Sequence, residues 1–516
     1  MDGTSAFGEQ DSRPQPGSPM SGGGSVREPE RLRDPENPRR GRLWSKVLWV
    51  LILIVSCGIF AMQFAAQATM VANPVPPPQQ VPSMELRYAA RVNFGMEKLG
   101  NSLGLPPGSA AAGDLRTMIS NSSTGPIELV RAAIVAAAAT GDRELAITLL
   151  DNASGELSEL HRELEPLDDP EEQAEREQWF EDMRRDISDV GAVVSQLDAT
   201  QLSQDELDRL EVRHGDFGTM IRIISSPDSD PLRQQFEERG VRTLISVFVM
   251  VGIAGLAVLT GFVLFVIAFV MVLTKKIEPR LNIQRQWPHH KRTLLLEAFL
   301  LFMLSFIAVT VAAGFIHAKT GTDVQPFLIW LMLLTPLWPL LRGMSWSDLH
   351  IALGWHANGK GIAGVFKEAA LGFVGYLAGL PIVIGFIIVS LLLVFLTHSE
   401  PSHPATTEAM NADFMTALKL YVLASLWAPI VEESVFRGLL YYNMRRWAAP
   451  LVSGFVVAFL FAFIHPQGLA LIPALMGLAV VFALVREWRG SLIGPMVAHG
   501  VHNAFVISLI IFVLGK

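Results

Sequence analysis

Charge and cysteine are both scarce in this sequence. Charged residues make up 17% of its 516 residues and half of all residues are hydrophobic, with a mean hydropathy of +0.36. This balance is typical of membrane proteins. The single cysteine, Cys57, excludes an intramolecular disulfide and a cysteine-based metal site. We interpret it as a small packed or lipid-facing residue.

A concentrated basic surface is also missing. Lysine and arginine occur in short clusters between apolar runs, so the sequence predicts no nucleic-acid partner. The formal net charge of −8 identifies no other partner until it is divided by region.

Long apolar runs predict a polytopic, all-α bundle with about nine transmembrane helices, since a span needs about 20 apolar residues. Residues 1–42 are nearly free of apolar side chains and are predicted to be a disordered cytoplasmic tail. Residues 43–71 hold a first anchor, which is longer than the apolar part of a signal peptide. The spans are predicted at 46–69, 243–274, 293–316, 326–341, 368–397, 415–436, 450–465, 468–485 and 491–514.

Residues 72–242 differ in character from the apolar runs on either side of them. They are acidic and favour helices, with apolar residues at helical spacing in "GPIELVRAAIVAAAATGDRELAITLLDNA". We predict an inserted soluble helical domain that could bind a protein partner. Residues 243–344 are then further transmembrane helices, and residues 345–516 form the C-terminal core.

Lysine and arginine in the loops predict the orientation of a multi-pass protein in the cell membrane. All their clusters fall on one side of the bilayer if the N-terminus is cytoplasmic. Residues 72–242 are then predicted to be extracytoplasmic.

The last spans carry polar groups, which are costly in hydrocarbon. The stretch "APIVEESVFRGLL", residues 428–440, contains Glu432, Glu433 and Arg437. Glu433 and Arg437 are four residues apart and share a helix face, which predicts that they pair. Glu432 is about 100° away around the helix from Glu433.

Two later segments repeat the four-residue spacing. Phe461 and His465 occur in "FAFIH", and His499 and Asn503 occur in "HGVHN". Each group alone has a structural interpretation, as an ion pair or an interhelical hydrogen bond. Three successive polar spans favour a functional site instead.

These residue types suit the activation of water. A carboxylate and an imidazole can remove a proton from water, and a histidine N–H with an asparagine amide can hold an oxyanion. Glu432, His465 and His499 could alternatively hold Zn²⁺, although the H-E-x-x-H pattern is absent.

The three segments, in order, resemble the EExxxR, FxxxH and HxxxN motifs of the CPBP family, the CAAX-prenyl-protease-2-like or ABI membrane proteases. The resemblance covers residues 345–516 and implies an intramembrane endopeptidase built as a helical bundle around a conical polar cavity. It implies that Glu432 and His465 activate water and that His499 and Asn503 hold the oxyanion.

The resemblance also implies that Glu433, Arg437 and Phe461 support the site. The family has been described both as metalloproteases and as metal-free glutamate proteases. We favour the form that requires no cofactor, because an asparagine suits an oxyanion donor better than a zinc ligand.

Two alternatives remain open at the level of sequence. One is a proton-coupled transporter that uses the intramembrane carboxylates and histidines, although no inverted repeat is visible. The other is a non-catalytic membrane scaffold whose domain at 72–242 binds a partner. The preferred substrate is a membrane-associated peptide or protein.

Overall fold

The computed structural model describes residues 38–71, 75–78, 83–104, 115–119, 125–283, 287–358, 361–397 and 404–515, and these contain helices and no strand. The predicted all-α fold class is therefore confirmed. The predicted disordered tail lies mostly outside the described residues, and helix α1 (Pro38–Val71) begins within its last five positions.

Among the described residues, six helices of eight or more residues lie between the first and second long apolar helices, and we call them the helical insert. They are α2 (Met84–Ser102), α3 (Pro126–Thr140), α4 (Arg143–Glu163), α5 (Pro170–Gln196), α6 (Gln204–His214) and α7 (Asp216–Ile223). The alanine-rich α3 is the centre of their apolar core, and its residues 127–137 other than Glu128 are buried. Proline is favoured at the first turn of a helix and glycine just beyond its end, so Pro126 and Gly141, whose φ is 65°, account for the bounds of α3.

The remaining helices belong to the membrane part or border it. They are α8 (Pro231–Leu273), α9 (His289–Thr320), α10 (Gln325–Leu341), α11 (Trp346–Leu353), α12 (Gly361–Thr397), α13 (Pro404–Met410), α14 (Phe414–Met444), α15 (Pro450–Phe463), α16 (Ile472–Arg489) and α17 (Ile493–Leu509).

Seven helices among the described residues are long and apolar enough to cross a membrane. The other two predicted spans, 326–341 and 450–465, fall on the shorter apolar helices α10 and α15. Helix α15 has 14 residues and is about 21 Å long, less than the hydrocarbon thickness of about 30 Å. The chain is a multi-pass membrane bundle.

Helix α8 joins the helical insert to the bundle without a break over 43 residues. Asp230 caps it by accepting hydrogen bonds from the N–H groups of Leu232 and Arg233. It crosses α2 at Gly95 and Gly240, where a Cβ atom on Gly95 would lie 2.5 Å from the Gly240 backbone.

Helix α14 departs from the regular helix that its sequence predicts. It contains two π-helical segments, Val422–Trp427 and Glu433–Tyr441, on either side of the stretch Ala428–Glu432. Pro429 lacks an N–H group and cannot donate a backbone hydrogen bond, which favours such an irregularity nearby. The second segment begins at Glu433, so the helix changes between the two glutamates.

Candidate active site

Three elements bring the polar side chains of the bundle together. Helix α14 carries Glu432 and Glu433, the loop after α15 carries His465, and α17 carries His499. The side chain of Glu432 is central: its Oε2 lies 3.9 Å from Nε2 of His465 and 3.9 Å from Nε2 of His499. The arrangement leaves Glu432 without a hydrogen bond to these imidazoles, because 3.9 Å exceeds hydrogen-bonding distance.

Glu433 lies on the buried side of this group. Its Oε1 is 3.0 Å from Nδ1 of His499 and accepts a hydrogen bond of 3.0 Å from Nη1 of Arg437. The side chains of Glu433 and Arg437 have no exposed surface. A buried charge needs both a partner and hydrogen bonds, and Arg437 also donates to the Ala479 carbonyl on α16 at 3.0 Å.

Aromatic rings enclose the Arg437 guanidinium. It stacks over Phe461 at 4.8 Å and over Phe482 at 5.3 Å from the ring centroids. The Phe482 ring in turn stacks on the His499 ring at 5.0 Å. Phe461, predicted as a supporting residue, therefore lies between the cation and the His465 ring, whose centroid is 4.3 Å away.

His465 is held by the backbone of the helix that precedes it. Its Nδ1 lies 2.5 Å from the Phe461 carbonyl, which can only accept, so Nδ1 is the donor. Neutral His465 and His499 both then carry their proton on Nδ1 and present an acceptor Nε2 to Glu432. His465 is the most open of the three side chains, 24% exposed against 18% for Glu432 and 6% for His499.

Asn503 faces α14 but makes no hydrogen bond to Glu432, His465 or His499. Its Nδ2 donates to the carbonyl of Ala424 in the first π segment at 2.7 Å. The second N–H of the amide is the donor that an oxyanion would need. The neighbouring His502 turns toward α12 instead, with Nδ1 3.0 Å from the Tyr376 hydroxyl.

Two contacts at the site are not predicted by the sequence. The pairing of His499 with Glu433 joins residues 66 positions apart, and no spacing rule points to it. Gln63 of α1 donates from Nε2 to the carbonyl of Ile464, next to His465, at 2.6 Å. A glutamine within the first apolar run was the only sequence signal for the second contact.

The donor set would suit zinc, but its spacing is wider than in a zinc site. Ligands about 2.0–2.1 Å from a tetrahedral ion are about 3.3 Å from one another, whereas Glu432 is 3.9 Å from each imidazole. Within the described ranges, no group of three or more His, Cys, Asp or Glu side chains is arranged to hold a metal ion. Glu432, His465 and His499 would have to approach one another to do so.

Comparison with known proteins places these residues in one family domain. Residues 414–505 match the family described as "Type II CAAX prenyl endopeptidase Rce1-like". The chain is also similar to the membrane-embedded CAAX protease MroQ of Staphylococcus aureus (strain USA300), with 29% identity over 89 residues, which are 16% of this chain and 36% of that protein. This match thus spans about a third of the relative's length, and no solved structure matches the chain significantly. The residues that match this family contain all three motifs, and both comparisons support the assignment of this C-terminal segment to the CPBP family of CAAX-protease-like membrane proteins.

Proposed function

We propose that this protein is an intramembrane endopeptidase that hydrolyses a peptide bond in a membrane-associated substrate. The observation that carries the proposal is the position of Glu432, whose Oε2 is equidistant from Nε2 of His465 and Nε2 of His499. A water molecule can lie about 2.8 Å from both atoms of a pair that are 3.9 Å apart. Glu432 and His465 then bind and deprotonate the attacking water.

His499 and Asn503 are assigned to the oxyanion. In its neutral form His499 presents an acceptor at Nε2, so it must be protonated to donate there. Glu433 orients the ring through the 3.0 Å contact between its Oε1 and Nδ1 of His499. The free N–H of Asn503 is the second donor. Each such donor contributes about 2.7–4 kcal/mol to the transition state.

The mechanism we favour needs no metal ion, and the wide spacing of Glu432 from the two imidazoles supports this choice. If zinc binds, Glu432, His465 and His499 are its ligands and it supplies a more acidic water. In either case this chain holds and orients the water between the same three side chains.

Comparison of cleavage products tests the proposal. Cells that make the wild-type chain should contain membrane-protein fragments that are absent when Glu432 is replaced by glutamine, with the variant present in the membrane in equal amount. An unchanged set of fragments in the cells that make Glu432→Gln, with no loss of the protein's cellular function, would instead support a non-catalytic scaffold. Transport of a solute without peptide products would support a transporter.

We further propose that the N-terminus is cytoplasmic and that the soluble domain lies outside the cell membrane, where it can bind a protein partner. The loop charges support this orientation. In a Cys57→Ala background, a membrane-impermeant maleimide should label Ser158→Cys in α4 in intact cells, and should label Lys276→Cys after α8 only once the cells are opened. The reverse pattern would invert the topology.

A further inference from the structure

A cleft opens beside His465 on the side that α1 covers. It is lined by Phe60, Gln63 and Phe64 of α1, together with His465 and Leu469. Phe64 and Leu469, at its mouth, are each 57% exposed. In a membrane bundle exposed apolar side chains face lipid, so the cleft opens sideways toward the bilayer. Helix α1 lies outside the residues that match the family.

In the side-chain amide of Gln63, the nitrogen makes a hydrogen bond and the oxygen makes none. Its Nε2 donates to the Ile464 carbonyl at 2.6 Å. Its Oε1 is buried and accepts no hydrogen bond. A buried acceptor without a donor is unfavourable, and such groups call for a partner. Gln63 lines the cleft, and the carbonyl that it contacts belongs to Ile464, the residue directly before His465.

The position of Gln63 is fixed by aromatic packing. The Phe60 ring stacks on Phe463 at the end of α15, with centroids 4.4 Å apart and planes 10° apart. Phe463 and Ile464 directly precede His465, so α1 is anchored at the start of the catalytic loop. The packing of α1 against the end of α15 therefore fixes the position of Gln63 and of its unpaired Oε1.

A peptide substrate carries donors of the kind that Oε1 of Gln63 lacks. A scissile segment held in extended form exposes backbone N–H groups, and inside a membrane each of these needs an acceptor. We propose that the cleft is a subsite for the extended backbone of the substrate, in which Gln63 Oε1 accepts a hydrogen bond from a substrate N–H. This inference rests on the proposed function, because it names the residue that positions the peptide next to His465.

The test measures the binding of a defined probe to the full chain in lipid nanodiscs. The probe is a fluorescent dodecapeptide of alternating leucine and alanine, with a set of versions methylated at one backbone nitrogen each. The chain carries Glu432→Gln to prevent cleavage, and anisotropy reports binding. Loss of one hydrogen bond should make one methylated version bind roughly 3- to 10-fold more weakly than the parent peptide.

Replacement of Gln63 should remove that difference. In Gln63→Met the parent peptide should bind as weakly as the critical methylated version, and methylation there should have no further effect. Gln63→Glu keeps an acceptor oxygen but loses the Nε2 donor to the Ile464 carbonyl, so it should recover only part of the binding. A lipid-facing replacement on the same helix, Leu53→Met, should change nothing.

Three outcomes would overturn the inference. The parent peptide could fail to bind, Gln63→Met could bind it as well as the wild type, or Gln63→Met could weaken every peptide equally, as a purely structural role requires. The proposed function is judged separately, by cleavage. Glu432-dependent fragments with no effect of Gln63→Met on peptide binding would leave the endopeptidase standing without this subsite. Gln63-dependent peptide binding without Glu432-dependent fragments would leave the peptide subsite standing without the endopeptidase activity.

Discussion

Glu433 holds the imidazole of His499 through a 3.0 Å contact between Oε1 and Nδ1. The same oxygen accepts a hydrogen bond from Arg437, so one carboxylate serves both a positioning contact and a buried ion pair. The neighbouring Glu432 makes no hydrogen bond in the described part of the chain. The two adjacent glutamates therefore have different environments and should respond differently to the same substitution.

Glu433→Gln should destabilise the protein and slow cleavage. Removal of one partner of a buried ion pair lowers the free energy of unfolding by about 3–5 kcal/mol, because the other charge is left uncompensated. Loss of the carboxylate that orients a catalytic histidine lowers the rate by up to about 10⁴-fold. Thermal unfolding in detergent and cleavage of a Glu432-dependent substrate measure the two effects.

The matched control is Glu432→Gln. It should abolish cleavage while the unfolding temperature stays close to that of the wild type, since no hydrogen bond is lost. Equal destabilisation by both substitutions would contradict the separate roles given to the two glutamates.

Gly372→Ala should disturb the site from a distance. Helices α12 and α17 cross at Gly372, where a Cβ atom would lie 2.4 Å from the Cα of Gly494. Overpacking of this kind costs about 1–3 kcal/mol, and α17 carries His499 and Asn503. We expect a lower unfolding temperature and slower cleavage. Gly385→Ala in the same helix, where a Cβ meets nothing within 4 Å, should change neither quantity. An equal effect of both substitutions would contradict the expected clash between α12 and α17.

Removal of divalent metal should leave cleavage unchanged. The site that we propose activates water with Glu432 and His465 alone. Purified protein dialysed against a strong chelator should keep its rate, with the metal content followed by mass spectrometry. Loss of activity that zinc restores would replace this mechanism with the metal-dependent one.

The helical insert should lose stability in mild acid through His214. Its Nε2 lies 3.1 Å from Oδ2 of Asp186, and both side chains are fully buried. Burial lowers the pKa of His214, against the opposing effect of Asp186, while Arg131 and Arg213 lower it further. The unfolded chain then binds a proton that the folded chain does not, so stability falls as pH drops through the ordinary histidine range near 6.5, by at most about 1.4 kcal/mol per pH unit.

Pulse proteolysis of the full chain between pH 7.5 and 5.5 checks this expectation, with cleavages mapped to residues 84–236 by mass spectrometry. Protection should fall with pH in the wild type and fall less steeply in His214→Gln. A rise in protection toward acid would mean that the sign is wrong.

Much of the membrane architecture could be predicted from the lengths of the apolar runs, because a helix that crosses a bilayer must be long and apolar. The irregular α10 could not be placed by that rule alone. Its residues Ile329–Leu337 form a 3₁₀-helix that contains Pro336, and Pro339 follows three residues after Pro336. The prolines were visible in the sequence, but their effect depends on how neighbouring helices compensate for the missing hydrogen bonds.

The residues of the site could be predicted from the sequence, but most of the contacts between them could not. Four-residue spacing placed Glu433 with Arg437, since helix geometry fixes such neighbours. The partner of His499 depends instead on how α14 and α17 pack, and Glu433 lies at the start of a π-helical segment that no spacing rule predicts. Gln63 is 401 residues from the loop that it contacts, so only the folded chain reveals it.

Three close helix crossings at glycines connect the helical insert to the helix of His499 in series. Helix α2 meets α8 at Gly95 and Gly240, α8 meets α12 where a Cβ on Gly261 would lie 2.4 Å from the Leu377 carbonyl oxygen, and α12 meets α17 at Gly372 and Gly494. At each of these points backbone touches backbone without intervening side chains that could absorb a displacement. A shift of α2 relative to the membrane bundle would therefore move α8, α12 and α17 in turn as rigid bodies, because no side chains at the crossings can rearrange to absorb it.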